Sequence, residues 1–389
     1  SLIVGPTMRP VTDELRISRE KLSYVIDSTA GPVTDMAFIS SWVAYEIGMI
    51  GIALTTAGLA VENTYGIFLE TVPYRFYNIF AIALVIIIIL TQKDYGPMYA
   101  AEKRARLSGN LVNEGSTPMM SKELDAMNVK EGTPLRICNA VVPIVTFIVI
   151  TLFAMYYTGG GFDNTFSIET IKNAFGDCDS ASSIFYAVII ASVVSIVMAV
   201  VQKIMTLREA IDVWMNGCKE LLLTVTILLF AWTSGSIMSE LGTGAYIAEL
   251  VGDTVPGVIL PVIIFAVCLV SFSTGTSYGT TAIMIPIAFP LAMGINGGVL
   301  DSYAVLTIAA VTCGAIFGDH CSPISDTTIM SSMGSAADLM DHVRTQIPYA
   351  VTAAIVAAVC GFIPAALGVP AWICLPIGIV VLYLVVRFL

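Results

Sequence analysis

Residues 79–90 read IFAIALVIIIIL, and no side chain from 76 to 91 carries a charge. A run this apolar, with neither a polar face nor strict alternation, is stable as a helix only in apolar surroundings. Five further stretches are of the same kind: 137–157, 183–201, 219–238, 346–366 and 370–388. About 20 such residues span a bilayer as a helix. Only helices and closed barrels satisfy their backbone there, and the chain lacks the series of ten-residue alternating segments that a barrel needs. Charged residues make up 12% of the chain, against about 25% in soluble domains. The expected fold is therefore an all-α polytopic membrane protein in the cell inner membrane, with the lipid bilayer as its surroundings. The net charge of −11 does not bear on nucleic acid, and none is expected as a partner.

Cytoplasmic loops collect Lys and Arg. Arg9, Arg16, Arg19 and Lys21 place 9–21 inside. Lys93, Lys103, Arg104, Arg106, Lys122, Lys130 and Arg136 do the same for 93–136. The acidic segments 158–182 and 239–256 fall outside. The chain opens on SLIVGP, which reads as the tail of an apolar segment, so the sequence is expected to begin partway through a longer protein. Four divisions follow: 1–92 as the end of a first repeat, 93–136 as a cytoplasmic linker loop, 137–201 as connecting spans, and 202–389 as a second repeat.

The repeat rests on PVTDMAFISS (32–41) set against PISDTTIMSS (323–332), which share Pro32/Pro323, Asp35/Asp326, Ser40/Ser331 and Ser41/Ser332. Segment 257–293 has two apolar arms, 257–272 and 281–293, of roughly 24 and 20 Å at 1.5 Å per residue, too short to cross a core of about 30 Å. It is expected to be a re-entrant hairpin with STGTSYGT (273–280) at its tip. The copies then run in opposite directions, as in transporters with inverted-topology repeats.

Both copies place proline among small polar residues inside a span, DSTAGP (27–32) and GDHCSP (318–323), so broken helices are expected at 27–35 and within 303–334, with the breaks at Pro32 and Pro323. Terminal helices follow over 346–388. Broken helices direct freed carbonyls and helix ends at ions. Asp319, Asp326, Ser322, Ser325, Thr327 and Thr328, with Asp27, Ser28 and Thr29 of the first copy, offer hard oxygens that suit Na+ or Li+ rather than a transition metal. The hairpin tip adds Thr274, Thr276 and Ser277. A carboxylate in low dielectric has a raised proton affinity. It can hold a proton or a sodium ion in turn, which is what antiport requires chemically. His320 is a candidate pH sensor; Asp338, Asp341, His342 and Arg344 read as a solvated inside turn.

The segments RISREKLSYVIDSTAGPV (16–33), SSWVAYEIG (40–48), LLFAWTSGSIMSELGTGAYIA (228–248), STGTSYGTTAIMIPIAFPLA (273–292), FGDHCSPISDTTIMSS (317–332) and DHVRTQIPYA (341–350) resemble the NhaC-type sodium/proton antiporter family, within the broader ion-transporter superfamily. The resemblance implies an inverted-repeat fold in which a hairpin and a broken helix from each half enclose the site, the first hairpin falling before residue 1. It implies a secondary active transporter, not an enzyme, carrying Na+ (or Li+) against H+ without a cofactor. The alternative is a sodium- or proton-coupled carrier of a small organic acid or amino acid; neither motif holds an Arg or Lys to grip a carboxylate. Gly275-x-Ser277 with His320 imitates a protease dyad, but the Thr-rich flanks and the repeat have no use in that chemistry. The chain has no phosphate-binding loop for ATP. The sequence leaves a homodimer open.

Overall fold

The computed structural model describes residues 4–37, 40–56, 59, 64–118, 136, 138–163, 165, 167–176, 178–219, 260–295 and 299–388. Every regular element among them is helical. The expected span 219–238 and the acidic segment 239–256 lie outside the described residues, apart from Lys219. In chain order the main helices are α1 (Val4–Glu14), α2 (Arg19–Thr34), α3 (Ser41–Thr56), α4 (Thr64–Thr71), α5 (Phe76–Thr91), α6 (Gly96–Ser108), α7 (Cys138–Thr158) and α8 (Ser180–Val201). There follow α9 (Leu260–Val267), α10 (Val270–Thr274), α11 (Ser277–Ile295), α12 (Ser302–Cys321), α13 (Asp326–Ser335), α14 (Leu339–Val356) and α15 (Ala371–Phe388). Among the described residues six helical stretches are long and apolar enough to cross a membrane: Phe76–Ser108, Val141–Thr158, Ser182–Val201, Ser302–Cys321, Leu339–Ala366 and Ala371–Phe388. The chain is an all-α integral membrane protein.

It divides into two compact units, one of Ser1–Phe38, Gly48–Met120 and Thr226–Leu389, the other of Ile39–Ile47 and Ser121–Val225. In the second, α7 and α8 pack together and Thr158 Oγ1 lies 3.2 Å from Ser183 Oγ. The remaining faces of this pair are broadly exposed and apolar.

The first unit is built around α12. Asp301 caps its start, accepting from the amides of Tyr303 (3.0 Å) and Ala304 (3.1 Å), and every residue from Ala304 to Cys321 is buried. Small residues let its neighbours approach. A methyl on Gly314 would sit 2.4 Å from the carbonyl oxygen of Phe265, and one on Gly318 would sit 2.0 Å from Ser271 Oγ. This i, i+4 glycine pair carries the first arm of the hairpin, the close-approach device of helices in lipid.

Three expectations change here. The segment 9–21 is not simply a loop: α1 covers it as far as Glu14 and α2 from Arg19, and α1 packs on α13, with Gly5 directly against Gly334. The first third of 93–136 is not linker either. Helix α6 docks against α2 and α14, and Glu102 Oε1 accepts from the Ser18 amide (2.8 Å) and hydroxyl (2.7 Å). Finally, α2 runs through Pro32 to Thr34, so the helix expected to break at Pro32 within 27–35 ends two residues later. Pro32 stands in the last turn, at the cost of one helical hydrogen bond, and the Asp35 amide still reaches the Gly31 carbonyl at 3.1 Å.

Candidate ion-binding site

After α12 the chain leaves the helix at Ser322 and re-enters it at Asp326. The lone donor that Pro323 lacks is offset by local hydroxyls: Ser322 Oγ accepts from the Ile324 amide at 3.3 Å and donates to the Phe272 carbonyl at 2.7 Å. Ser322 thus ties the break to the hairpin. The hairpin turn is tighter than expected, Gly275 and Thr276 rather than 273–280. Gly275 takes a left-handed conformation (φ 64°) to end α10, and a methyl there would lie 2.7 Å from the Ile324 carbonyl oxygen. Thr276 then caps α11, accepting from the Gly279 amide at 3.3 Å, as an N-cap hydroxyl does.

Around this break, Asp27 of α2 and Asp319 of α12 are both buried and within electrostatic range of one another. Asp319, 3% exposed, lies one turn before the break, with the hydroxyls of Ser277 and Ser325 beside it and Asp326 and Asp27 within electrostatic range. Its Oδ1 has no hydrogen-bond partner. Asp27 projects from the continuous face of α2. Its Oδ2 accepts from Gln346 Nε2 (2.7 Å) and Thr328 Oγ1 (3.1 Å) and lies 3.3 Å from His342 Nε2; its Oδ1 also has no partner. A buried polar atom left alone costs about 1–3 kcal/mol, and both carboxyl oxygens carry that cost.

His320 is bonded at both ring nitrogens, Nε2 at 3.1 Å from Ser28 Oγ and Nδ1 at 2.7 Å from Tyr77 OH. It therefore joins α12 to α2 and α5. Its carbonyl accepts from Gln346 Nε2, so one amide group clamps Asp27 to the end of α12. Of the remaining expected ligands, Thr327 bonds Ser325 (3.1 Å), and buried Thr274 turns back to its own helix. Thr29 is not buried with these carboxyls: it is exposed, and its hydroxyl donates to the Val25 carbonyl at 2.6 Å.

Two groups escaped the sequence reading. His342 is fully buried, not part of a solvated turn; it and Gln346 stand four apart on the inner face of α14. Arg75, also fully buried, donates to Asp35 Oδ2 at 2.5 Å, and Asn78 Nδ2 donates to the same oxygen. Thr71 Oγ1 accepts from Arg75 Nε (3.2 Å) and Nη2 (3.0 Å). A cation does therefore lie beside the first motif, supplied by another element and already engaged by Asp35.

The model of the Na+/H+ antiporter family matches residues 33–363. The chain belongs to the Na+/H+ antiporter family. An uncharacterised protein of Haemophilus influenzae is 35% identical over 356 residues, 91% of this chain and 65% of that protein. The chain thus spans somewhat less than two thirds of that relative's length. Shorter similarities join it to the Na+/H+ antiporter NhaC of Alkalihalophilus pseudofirmus, 43% identical over 20% of this chain and 15% of that one. The malate-2H+/Na+-lactate antiporter of Bacillus subtilis is 33% identical over 37% of this chain and 29% of its own. No solved structure matches. The family is one of transporters, not enzymes.

Proposed function

We propose that the chain forms the ion-binding core of a secondary active Na+(Li+)/H+ antiporter of the inner membrane. The observation that carries this reading is the pair of buried carboxyl oxygens, Asp319 Oδ1 and Asp27 Oδ1, that no protein donor reaches. Asp319, with Ser277, Ser325 and the neighbouring Asp326, offers the hard oxygens a small cation takes in place of water. Asp27 is set against donors, and its neighbour His342 keeps an unpartnered Nδ1. With donors already turned to Asp27, the pair is suited to holding a proton on the His342 imidazole. Binding of the cation at Asp319 and of the proton at the Asp27–His342 pair makes each disfavour the other by charge.

In this reading the segment 260–295 is the re-entrant hairpin, and hairpin and break move together through the Ser322–Phe272 bond. The family membership supports Na+ and H+ as the transported ions. The second reading, exchange of an organic acid or amino acid, is favoured by the names of the Bacillus relative and of an arginine/ornithine antiporter of Halobacterium salinarum, 40% identical over 93 residues. Against it, Arg75 is neutralised by Asp35.

Proteoliposomes containing the full protein separate the two. With Na+ imposed as a gradient and no organic solute present, lumenal pH should change, and malate, lactate or arginine should leave the rate unaltered. A pH change that requires one of these solutes favours the second reading.

A further inference from the structure

A cavity of about 520 Å³ opens where α5 gives way to α6, lined by Gln92, Lys93, Asp94, Lys103, Arg106 and Val386 among others. Its acidic side is ion-paired from within the protein. Asp94 Oδ2 pairs with Lys21 Nζ at 2.7 Å, and Tyr349 OH donates to its Oδ1 at 3.1 Å. Glu102 Oε1 takes both donors of Ser18, and its Oε2 lies 3.6 Å from Lys21 Nζ and 3.5 Å from Arg106 Nη2. Lys93 and Lys103, both exposed, face no carboxylate among the described residues. Lys93 donates to the Arg387 carbonyl at 2.9 Å, and among the described residues Lys103 makes no ion pair or hydrogen bond. Lysines 21, 93 and 103 with Arg106 thus outnumber the two carboxylates, and the excess charge sits at the mouth.

The mouth lies at the end of a spanning stretch. Ile86, Ile89 and Leu90 on the outer face of α5 are 51%, 51% and 78% exposed, and Tyr99 and Leu107 on α6 are 55% and 75% exposed. Apolar side chains for an acyl chain therefore border ammonium groups for a phosphate, with a tyrosine at the boundary where such rings settle. Basic pockets at the inner ends of spans recognise acidic lipid headgroups, and 93–136 is the segment whose charge places it inside.

We propose that this cavity binds the headgroup of an anionic phospholipid. Free phosphate shares the headgroup's chemistry but gains nothing from the apolar border, so it distinguishes the two sources. The full-length protein, purified in detergent, is titrated with phosphatidylglycerol or phosphatidylcholine, and retained lipid is read by native mass spectrometry, with inorganic phosphate as competitor. Phosphatidylglycerol should be retained over phosphatidylcholine. Lys93→Gln with Lys103→Gln should weaken it about thirtyfold, from roughly one membrane-surface charge increment per lysine. Lys93→Arg with Lys103→Arg should restore it to within about threefold, since a point charge suffices. Equal retention of the two lipids, an unchanged preference in the Gln variant, or displacement by millimolar phosphate would each overturn the proposal.

Discussion

At the scale of single residues, Gln346 does the joining. Its Nε2 bonds Asp27 and the His320 carbonyl together, so replacing it leaves two buried acceptors short of a donor. Gln346→Leu is expected to cost about 1–3 kcal/mol for each unsatisfied group, read as a lowered Tm in detergent, with Gln346→Asn less costly if the shorter amide still meets one acceptor. Asp338 gives a second prediction, outside the spanning stretches. Partial burial raises its proton affinity, but the amides of Thr117, Asp341 and Met340 outweigh that and hold its carboxyl below the ordinary carboxylate range. A carboxylate lowered in the folded state stabilises fully above its unfolded value near 3.9 and loses that contribution as pH falls through the folded value. The contact between Thr117 and the start of α14 should therefore hold at neutral pH and still hold at about pH 4, where a free carboxyl is half protonated, and weaken only as pH falls further. Hydrogen exchange at the Thr117 amide, corrected for its intrinsic rate, tests this: protection lost between neutral pH and about pH 4.5 would count against it. His342 shows what was hard to read in the sequence. Asp341 and Arg344 beside it suggest a wet turn, yet residues 342, 346, 349 and 353 recur at the 4, 3, 4 spacing of one helix face, and all four are buried.

At the scale of elements, the hairpin and α12 are held by glycine. Gly318→Ala would drive a methyl into Ser271 Oγ and the Phe272 amide, 2.0 and 2.8 Å away. Overpacking of this kind costs about 1–3 kcal/mol, and because the strain lies beside Asp319 the variant should lose transport at temperatures where it is still folded. A variant with wild-type Tm and rate would show that the contact is not tight. The prolines explain why one break was legible and the other misplaced. Pro323 follows directly on the end of α12 and coincides with an interruption, whereas Pro32 lies within the last turn of α2 and the helix outlasts it by two residues. The ten-residue match aligns the prolines but cannot say on which side of each the helix stops. Arg75 was missed for a related reason: its partner Asp35 lies forty residues earlier, and only packing of α5 against α2 brings them together.

For the whole molecule, apolar run lengths made the membrane fold legible, since lipid leaves so few backbone solutions. The carboxylates at 27, 319 and 326 were legible because charges in apolar spans are rare and costly. The α14 partners of Asp27, His342 and Gln346, were not, because they stand where a wet turn leads into what reads as an ordinary span. The central claim is that Asp27 and Asp319 serve as coupled sites for proton and cation. The most direct measurement is Na+-driven proton flux in proteoliposomes for Asp27→Asn and Asp319→Asn, with insertion verified, since asparagine keeps the shape and removes the titrating charge. Each variant should lose the coupled flux by at least about 100-fold, the scale of removing an essential proton carrier. The account is contradicted if either variant exchanges Na+ for H+ at the wild-type rate with an unchanged dependence on pH.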